Sequence, residues 1–471
     1  MLKINHDNFY IDFDRELIEK CQTNAPRYTS YPTADRFNFS YNLKEHLSQI
    51  KSELINNKSP ISLYIHIPFC NTLCLYCACN KIITNDRNKI IKYLKYLEEE
   101  VRLYYEQVGK KLEVLQLHFG GGSPSWLSVD EITQVMKFLH KYFNFAKAEE
   151  ISIEIDPRHT TNEFMQVLKD NGFNRISIGL QDFDEKVQKI VNRVQSYSDS
   201  KMILDTAKRL NFHSTNIDLI YGLPLQTLNS FAKTIDTIIE MYPARIALFN
   251  YAHLPHIFMP QTRINEKDLP KEQEKLDILQ MSVTKLSNAG YVFIGMDHFA
   301  LPNDSLTLAL KNKTLQRNFQ GYSTFANSNM LAFGVSSIGI IGNSYYQNIK
   351  DLEEYYNKLD KKELPIMRGA ILSIDDIIRK HIIQDIMCMF SLDYYKIEKM
   401  FSIKFEKYFM HELIKLKNLN ELGLLFFTER GFQVTAKGRF LIRNIAVVFD
   451  KYINKDTVEK NVEIKRYSKV I

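Results

Sequence analysis

Four cysteines crowd into ten consecutive positions of this sequence, and this cluster constrains fold and chemistry more than any other feature. Cys70, Cys74, Cys77 and Cys79 come directly after an apolar, β-branched run over residues 63–69. Such a run predicts a buried strand that opens into a loop. The loop can fold the first three thiolates, spaced C-x3-C-x2-C, around one centre. Soft thiolates bind zinc, copper(I) or iron–sulfur centres, so the spacing predicts a metal site, and three ligands on a four-iron cluster would leave one iron open.

The rest of the chain suggests a reducing environment. The N-terminus lacks the charged-then-apolar pattern of a signal peptide, and no apolar run approaches the ~20 residues that span a bilayer. We therefore expect a cytoplasmic protein with no membrane span, in which clustered cysteines are metal ligands and not disulfide partners. The isolated Cys21 and Cys388 read as small apolar side chains. A structural zinc held by the four clustered cysteines is an alternative on spacing alone.

Length and composition describe a globular protein of more than one domain. The 471 residues are 45% hydrophobic and 25% charged, which is typical of soluble proteins, and they exceed one ordinary domain. The net charge of +6 is spread along the chain without an arginine-rich block. This distribution argues against a nucleic-acid partner.

Short apolar strands alternate with amphipathic helices from residue 61 to about residue 251. This alternation is typical of βαβ units and a parallel sheet. The predicted strands cover residues 63–69, 114–119, 150–155, 175–180, 215–220 and 245–251. The predicted helices cover residues 88–107, 129–143, 161–171, 198–211 and 228–241. A further helix over 269–289 and a strand over 291–295 extend this domain, whereas residues 303–370 look less regular.

The two ends of the chain differ from this central part. Residues 1–60 are polar and tyrosine-rich and are expected to form an arm, in which residues 26–34 run extended between prolines and carry Arg27, whose planar fork suits carboxylates. From residue 373 the pattern is helical, and residues 423–435 resemble the β-hairpin of a winged helix. We therefore predict an N-terminal arm (1–60), a catalytic domain (61–370) and a small, mostly helical, winged-helix-like domain (371–471).

Polar and glycine residues follow several of the predicted strands, where parallel barrels collect their functional groups. Gly121, Gly122 and Ser123 follow the second strand; glycines let backbone N–H groups approach a ligand, although a plain tight turn would look the same. Glu154 and Asp156 end the third strand and share one face by strand alternation, where carboxylates could hold ribose hydroxyls or an ammonium group. Two acids before a proline can also simply solvate a turn. Asp218 lies within an apolar strand and is expensive to bury unpaired, which favours a ligand or ion-pair role.

The cysteine loop resembles the signature loop of the radical S-adenosylmethionine (SAM) enzymes. The segment 64–70, Tyr-Ile-His-Ile-Pro-Phe-Cys, together with the additional Cys79, is similar to the oxygen-independent coproporphyrinogen III oxidases. The similarity runs from Pro26 to about Asp450 and includes residues 249–255 and 295–300. It implies an α/β fold built on a partial (β/α)6 barrel in preference to a doubly wound sheet.

The resemblance also implies roles for individual residues. Cys70, Cys74 and Cys77 would hold a [4Fe-4S] cluster, and Cys79 would act catalytically without binding it. The cluster-bound SAM would be held by Tyr64, Gly121, Glu154 and Asp218. A second SAM would be held by Tyr76, Gly122, Ser123, Gln181, Arg193, Ala252 and Ile338. Ser123 replaces the threonine that is usual in the family, and Tyr76 stands where phenylalanine is frequent; both changes keep the relevant hydroxyl or ring.

The reaction implied by the resemblance is a radical decarboxylation. Reductive cleavage of SAM yields a 5′-deoxyadenosyl radical, which converts two propionates of coproporphyrinogen III to vinyl groups and gives protoporphyrinogen IX. A reduced flavodoxin- or ferredoxin-type donor would supply electrons to a monomeric enzyme. The main alternative is a radical SAM-like haem chaperone, but such chaperones lack the fourth cysteine and the 26–34 segment.

Overall fold

The chain divides into two compact units, each built from separate stretches of sequence. The computed structural model describes residues 2–4, 11–21, 23–56, 59–325 and 328–453. The first unit, here called the barrel unit, consists of Phe37–Lys271 and Asn327–Ile371. The second, here called the C-terminal unit, consists of Met1–Arg36, Glu272–Ala326 and Leu372–Ile471. The predicted segments 1–60, 61–370 and 371–471 are continuous, so this three-part division stays a prediction, and its ends, residue 1 and residues 454–471, lie outside the described residues.

Six parallel strands form the centre of the barrel unit, in the same order in the sheet as in the chain. They are β1 (Ile61–Ile67), β2 (Leu112–Gly121), β3 (Glu150–Ile155), β4 (Arg175–Gln181), β5 (Ser214–Tyr221) and β6 (Arg245–Asn250). All six predicted strands are confirmed, because alternating apolar positions and intervening helical segments leave a parallel sheet as the simplest packing.

Four more strands extend the sheet beyond β1. They are β7 (Asn329–Phe333), β8 (Ile338–Ile341), β9 (Ser344–Asn348) and β10 (Ile366–Ile371). β7 pairs parallel to β1, and β8 to β10 continue as an antiparallel ribbon. β10 and β6 do not pair with each other, so the sheet is open and the predicted partial barrel is confirmed. The sequence prediction missed these strands because they are short and β9, although fully buried, consists of polar and tyrosine residues.

Helices connect the parallel strands, as the pattern predicted. They are α1 (Arg87–Val108), α2 (Val129–Tyr142), α3 (Asn162–Asp170), α4 (Glu185–Ile190), α5 (Tyr197–Arg209) and α6 (Leu228–Met241). Only α4 was not predicted, since six residues carry too little periodicity. Helices Leu43–Ile50 and Leu352–Asp360 complete the barrel unit. Across the described ranges, no helix combines the length and apolar character needed to cross a membrane.

A buried acid joins α1 to the turn between β7 and β8. Glu100 is fully buried and accepts hydrogen bonds from the Gly334 backbone N–H (2.8 Å), the Tyr355 hydroxyl (2.6 Å) and Asn348 Nδ2 (2.6 Å). Burial raises the pKa of Glu100 from 4.5 to about 7, against these three hydrogen bonds. The described residues offer it no basic partner, so this carboxyl makes the unit sensitive to pH.

We expect Glu100→Gln to remove a pH dependence of stability. Between pH 4.5 and about 7 the unfolded chain ionises this residue while the folded chain keeps it protonated, so stability falls as pH rises. The loss amounts to roughly 3 kcal/mol at most. Anaerobic unfolding of wild type and variant at pH 5 and pH 8 measures it. Glu99→Gln is the matched control. Arg102 lowers the pKa of Glu99 to about 2, so this residue changes the free energy of unfolding only in more acidic solutions. An equal change in the free energy of unfolding between pH 5 and pH 8 in wild type and Glu100→Gln would contradict the prediction.

The C-terminal unit contains helices and small sheets. Its helices are Arg15–Lys20, Glu272–Asn288, Ser305–Lys311, Ile374–Met389, Tyr394–Phe401, Phe405–Tyr408, Met410–Glu421 and Ile442–Ala446. Its strands are Leu2–Ile4, Ile11–Phe13, Val292–Gly295, His298–Ala300, Gln316–Asn318, Gly321–Ser323, Ser391–Asp393, Leu425–Thr428 and Gly431–Val434. The predicted hairpin within 423–435 exists and pairs with a third strand. The predicted helix and strand over 269–295 also exist but belong to this unit and not to the barrel unit.

The predicted arm is shared between the units. Residues 37–56 belong to the barrel unit, where Asn38 forms an isolated bridge with Gly369. The earlier residues are built into the C-terminal unit: Tyr28 donates to Asp450 (3.1 Å), and Arg443 donates to the Ala25 carbonyl (2.6 Å). The described residues of this early segment, 11–21 and 23–36, are therefore packed into the C-terminal unit, and deleting them would remove structure as well as any ligand contact.

Candidate active site

The carboxyl ends of the parallel strands line one cavity of about 230 Å³ in the barrel unit. All four clustered cysteines contribute to its wall, as do eight of the predicted binding residues: Tyr76, Gly121, Gly122, Ser123, Glu154, Gln181, Arg193 and Asp218. Residues that lie up to 148 positions apart in the sequence, from Cys70 to Asp218, thus meet at one place. The parallel order of the strands produces this meeting, because their carboxyl ends share one edge.

The cysteine loop is closed at its base by a short parallel pairing of Phe69–Cys70 with Ile82–Ile83. Within the loop, the Cys77 N–H donates to the Cys74 carbonyl (3.2 Å), and Lys81 Nζ donates to the Cys77 carbonyl (3.0 Å). The chain therefore turns back on itself between its first and last cysteine, which keeps the thiols on a common wall.

The segment after α4 supports the loop from the side. The Leu75 N–H donates to the Val191 carbonyl (3.0 Å), and Asn192 Nδ2 donates to the Leu73 carbonyl (2.7 Å). Arg193 Nη1 lies 3.6 Å from Cys74 Sγ. This contact places a permanent cation beside one of the predicted ligand thiols.

The thiols experience opposing influences. Burial, with the charges of Cys77 and Cys74, raises the pKa of the Cys70 thiol to about 12. A hydrogen bond with Cys79 lowers the pKa of Cys77 to about 6, and the same bond raises the pKa of Cys79 well above its ordinary value. Three thiolates at this spacing repel one another, so the loop needs a cationic centre to hold all three deprotonated.

Two arginines bind one acid at the end of β3. Asp156 accepts from Arg158 Nη2 (2.6 Å) and from Arg193 Nη1 (3.2 Å), and Arg193 Nη2 also donates to the Gly179 carbonyl (2.5 Å). Burial alone would raise the pKa of Asp156, but Arg193 and then Arg158 hold it at about 2. The Asp156 carboxylate thus positions the Arg193 guanidinium, which contacts β4 and the cysteine loop.

Two further acids present oxygens to the cavity. Glu154 accepts from the Gly121 N–H (3.2 Å), and its other oxygen lies 3.5 Å from His118 Nε2. Asp218 accepts from Ser177 (3.0 Å) and Asn216 (2.8 Å). Burial, and then the charge of Glu154, raises the pKa of Asp218 to about 6. Carboxylates held in this way can accept hydrogen bonds from ribose hydroxyls or an ammonium group.

Backbone conformation and close contacts require glycine at Gly121, the last residue of β2, and at Gly122, which follows it. Gly121 has φ +119°, and a Cβ at Gly122 would lie 2.6 Å from the Pro68 carbonyl oxygen. The Gly122 N–H donates to the Ile67 carbonyl (2.8 Å), and the Ser123 N–H donates to the Phe69 carbonyl (2.9 Å). These contacts hold the glycine turn directly against the entrance of the cysteine loop.

We expect Gly122→Ala to loosen the cysteine loop. The added methyl group must displace the Pro68 backbone, and overpacking of this kind costs about 1–3 kcal/mol. Iron retention and SAM turnover should both fall, the latter by about tenfold or more. Gly109→Ala is the matched control, since it has φ +73° but open space around its Cβ. It should lower the melting temperature and leave the iron content unchanged; a Gly122→Ala protein with full iron content and activity would contradict the prediction.

Several buried polar atoms at the cavity lack a hydrogen-bond partner among the described residues. They are Thr72 Oγ1, Gln181 Oε1 and Arg193 Nε. Gln181 also adopts φ +73°, a strained conformation for a non-glycine residue that is found at binding sites. Unsatisfied donors and acceptors together fit a polar ligand such as SAM.

The donor set also fits an iron–sulfur cluster. In the described ranges, no three His, Cys, Asp or Glu side chains close around a single ion. A [4Fe-4S] cluster makes a different demand, because each thiolate binds a separate iron. Cys70, Cys74 and Cys77 on one wall suit that requirement.

Three predicted residues lie outside this wall. The Tyr64 hydroxyl is 3.1 Å from His66 Nδ1, and the ring stacks on His118. The Ala252 carbonyl accepts from Gln261 Nε2, which also donates to the Tyr76 carbonyl (3.2 Å each). Ile338 begins β8. Their roles toward SAM stay predictions.

Six cavity residues were not singled out from the sequence. They are Thr72, Lys81, Ile155, Arg158, Ser177 and Gly179. Arg158 carried a usable signal, because it follows Asp156 by two positions directly after a predicted strand. Thr72 and Lys81 lie within or next to the cysteine loop and could have been included by proximity alone.

The same chain resembles known proteins over nearly its whole length. Residues 64–238 match the Radical SAM superfamily. The oxygen-independent coproporphyrinogen III oxidase of Escherichia coli is 44% identical over 98% of this chain and 99% of that protein, and that of Pseudomonas aeruginosa is 42% identical over the same shares. A solved structure of the Escherichia coli coproporphyrinogen III oxidase, described as a radical SAM enzyme, matches with a TM-score of 0.90 and 45% identity, covering 94% of this chain and 99% of that one.

Proposed function

The chain belongs to the oxygen-independent coproporphyrinogen III oxidases, a family of radical SAM enzymes, and from this membership we propose its reaction. It converts two propionate side chains of coproporphyrinogen III to vinyl groups and gives protoporphyrinogen IX for haem biosynthesis. The observation that carries this proposal is the 44% identity over 98% of the chain and 99% of the relative, which leaves no large part of either protein unmatched.

The cofactors would supply the one-electron chemistry: the [4Fe-4S] cluster and SAM, once bound, would together provide the oxidant that removes hydrogen from a C–H bond of the substrate. Each propionate gives up one hydrogen atom from its β-carbon, one electron and CO2. A carbon–carbon double bond remains, so the side chain becomes a vinyl group. The electron released at the substrate requires an acceptor outside this chain.

The protein's own residues bind and orient. We assign Cys70, Cys74 and Cys77 as cluster ligands on the basis of their shared wall. Glu154 and Asp218, with Gly121 and Tyr64, would hold the cluster-bound SAM. The second SAM would be held by Tyr76, Gly122, Ser123, Gln181, Arg193, Ala252 and Ile338.

Cys79 is proposed as a catalytic residue and not as a ligand. It lies in the cavity wall, is exposed, and shares a hydrogen bond with Cys77. A thiol in this position can take part in hydrogen or electron transfer beside the substrate or the second SAM. Occupation of the fourth iron by Cys79 would leave SAM no iron to chelate.

The cellular setting of the reaction is also part of the proposal. An iron–sulfur cluster with reduced cysteines suits the reducing cytoplasm. A reduced flavodoxin- or ferredoxin-type protein is the proposed electron donor, and the enzyme is proposed to act as a monomer.

An anaerobic assay with coproporphyrinogen III, SAM and a chemical reductant tests the reaction. Vinyl products and two equivalents of SAM cleaved per protoporphyrinogen IX are expected. Omission of SAM and the Cys70→Ser variant are the controls. Haem binding with no vinyl product would replace this function by haem delivery.

A further inference from the structure

A histidine on β2 lies between polar groups of the two neighbouring strands in the barrel unit. His118 is opposite Tyr64 on β1 and Ser152 on β3. Its ring stacks on the Tyr64 ring, with 6.0 Å between the ring centres. Its Nδ1 lies 2.8 Å from Ser152 Oγ, and its Nε2 lies 3.5 Å from Glu154 Oε1. Both ring nitrogens therefore face a polar partner on β3.

The partners of His118 determine which nitrogen carries a hydrogen. The Ser152 hydroxyl has one hydrogen to give, either to His118 Nδ1 or to the Leu117 carbonyl, which lies 3.2 Å away. If Ser152 donates to Nδ1, the neutral ring carries its hydrogen on Nε2. The opposite tautomer would turn the lone pair of Nε2 towards the Glu154 carboxylate, which brings two acceptors face to face. The favoured arrangement thus directs an N–H of His118 at Glu154.

The Glu154 carboxylate has two contacts among the described residues. Its Oε2 accepts from the Gly121 N–H (3.2 Å), and its Oε1 faces His118. The side chain is 44% exposed and lines the cavity. Asp218, which is predicted to hold the same SAM, is instead fixed by two neutral side chains. Within the described part of the chain, His118 is therefore the one side chain that orients Glu154.

We propose that His118 is a positioning residue that holds Glu154 in the orientation needed to bind SAM. This inference rests on the proposed function, in which Glu154 holds the cluster-bound SAM. A donor on one oxygen fixes the glutamate side chain and leaves lone pairs of the carboxylate for a ligand. Fixing the side chain before binding lowers the entropy cost of association. His118 acts only through Glu154, since it does not itself line the cavity.

The distance of 3.5 Å between His118 Nε2 and Glu154 Oε1 is long for a hydrogen bond. Contacts of this kind in ligand-free sites commonly shorten when the ligand binds. A ligand that donates hydrogen bonds to Glu154 would hold the carboxylate in one orientation, in which the contact with His118 can close. The proposed role therefore predicts an effect on SAM affinity and not on the iron content.

Gln116 provides a matched control for a purely structural role. It lies two positions before His118 on β2, and its Nε2 donates to Glu150 on β3 (2.8 Å). It thus makes the same kind of contact between the same two strands, but neither Gln116 nor Glu150 lines the cavity. A general weakening of the pairing between β2 and β3 would affect Gln116→Leu and His118→Phe alike. Loss of a positioned Glu154 would affect only His118→Phe.

The test measures the Kd for SAM of reconstituted full-length enzymes by isothermal titration calorimetry. The cluster is kept oxidised, so that binding is measured without SAM cleavage. His118→Phe keeps an aromatic ring against Tyr64 but removes both nitrogens, and its Kd should rise about tenfold, as expected for a lost hydrogen bond to a charged group. His118→Gln returns an N–H donor and should recover part of the affinity. Gln116→Leu should bind SAM as tightly as wild type, with unchanged iron content in all variants.

A double variant separates positioning from packing. Glu154→Gln removes the charge that His118 orients, so adding His118→Phe to it should weaken SAM binding by less than about twofold more. A further tenfold loss in the double variant would overturn the proposal, as would a wild-type Kd in His118→Phe or an equal rise in Gln116→Leu. If His118→Phe does not fold, His118→Ala takes its place in both comparisons.

The proposed function fails separately from this inference. A wild-type protein that binds and cleaves SAM but forms no vinyl product would refute the oxidase reaction and keep the role of His118. A wild-type Kd for SAM in Glu154→Gln would remove Glu154 from the SAM site and overturn the role of His118, while vinyl products from the wild-type enzyme would still support the oxidase reaction.

Discussion

Serine in place of Cys70, Cys74 or Cys77 will abolish both iron retention and SAM cleavage. Each of these residues lines the cavity, and in the proposed site a hard hydroxyl would replace a soft thiolate that binds one iron. Because the proposed chelation by SAM needs an iron that carries no protein ligand, such a cluster could not recruit a fourth cysteine without losing its function. Iron and sulfide analysis after anaerobic reconstitution, with turnover measured on the same samples, gives the result directly.

Cys79→Ser is the matched control and has the opposite expected pattern. Cys79 lies only two positions after Cys77 and lines the same cavity, so the substitution tests chemistry and not location. We expect the variant to keep its cluster and to lose most of its oxidase activity, by about a hundredfold or more for a group acting in the chemical step. Loss of iron in Cys79→Ser with retention in any one of the other three variants would reverse the ligand assignment.

Arg193→Gln should reduce kcat/KM for SAM by about a hundredfold, because truncating one partner of a buried charge pair typically costs 2–5 kcal/mol. Arg193 is 8% exposed and joins Asp156, the Gly179 carbonyl and Cys74 Sγ. Its removal frees β4 from the cysteine loop and withdraws the cation nearest to Cys74. Measurements of KM and kcat for SAM, together with iron content, separate binding from cluster loss.

Arg158→Gln is the matched variant, because Arg158 binds the same carboxylate, that of Asp156. Arg158 also binds Asp156, through two hydrogen bonds from Nε and one from Nη2, and its Nη2 lies 4.0 Å from Cys74 Sγ, but it makes no contact with Gly179 among the described interactions. We expect a smaller loss, about tenfold. Equal losses in the two variants would show that the contact of Arg193 with the Gly179 carbonyl on β4 is unimportant.

Local patterns predicted the elements that local energetics control. The six parallel strands follow from alternating and apolar runs, and the start of α2 follows from Ser128 and Glu131, which form the expected capping box. The cysteine spacing predicted a metal site for the same reason, since a short loop can bring its own thiols together. Only a few neighbouring residues are needed to define each of these features.

Other features depend on partners that are distant in the sequence. Asp156, Arg193 and Cys74 lie on three separate segments, and nothing in their spacing indicates that one guanidinium contacts both other side chains. β9 was missed because its buried polar side chains gain their partners only in the folded sheet; Asn348, for example, donates to Glu100 on α1. The assignment of residues 272–295 to the C-terminal unit is likewise a matter of packing and not of pattern.

The sequence by itself determined the strands, the crossover helices, the cysteine loop and the residue types available for SAM and a cluster, because hydrophobic period and short-range spacing are local quantities. The tertiary structure alone decided which charges meet. It placed two arginines on Asp156 and left Glu100 buried among hydrogen-bond donors. Burial and charge pairing are properties of the whole packed fold, since the cost of a charge depends on the solvent and neighbours that folding removes or supplies.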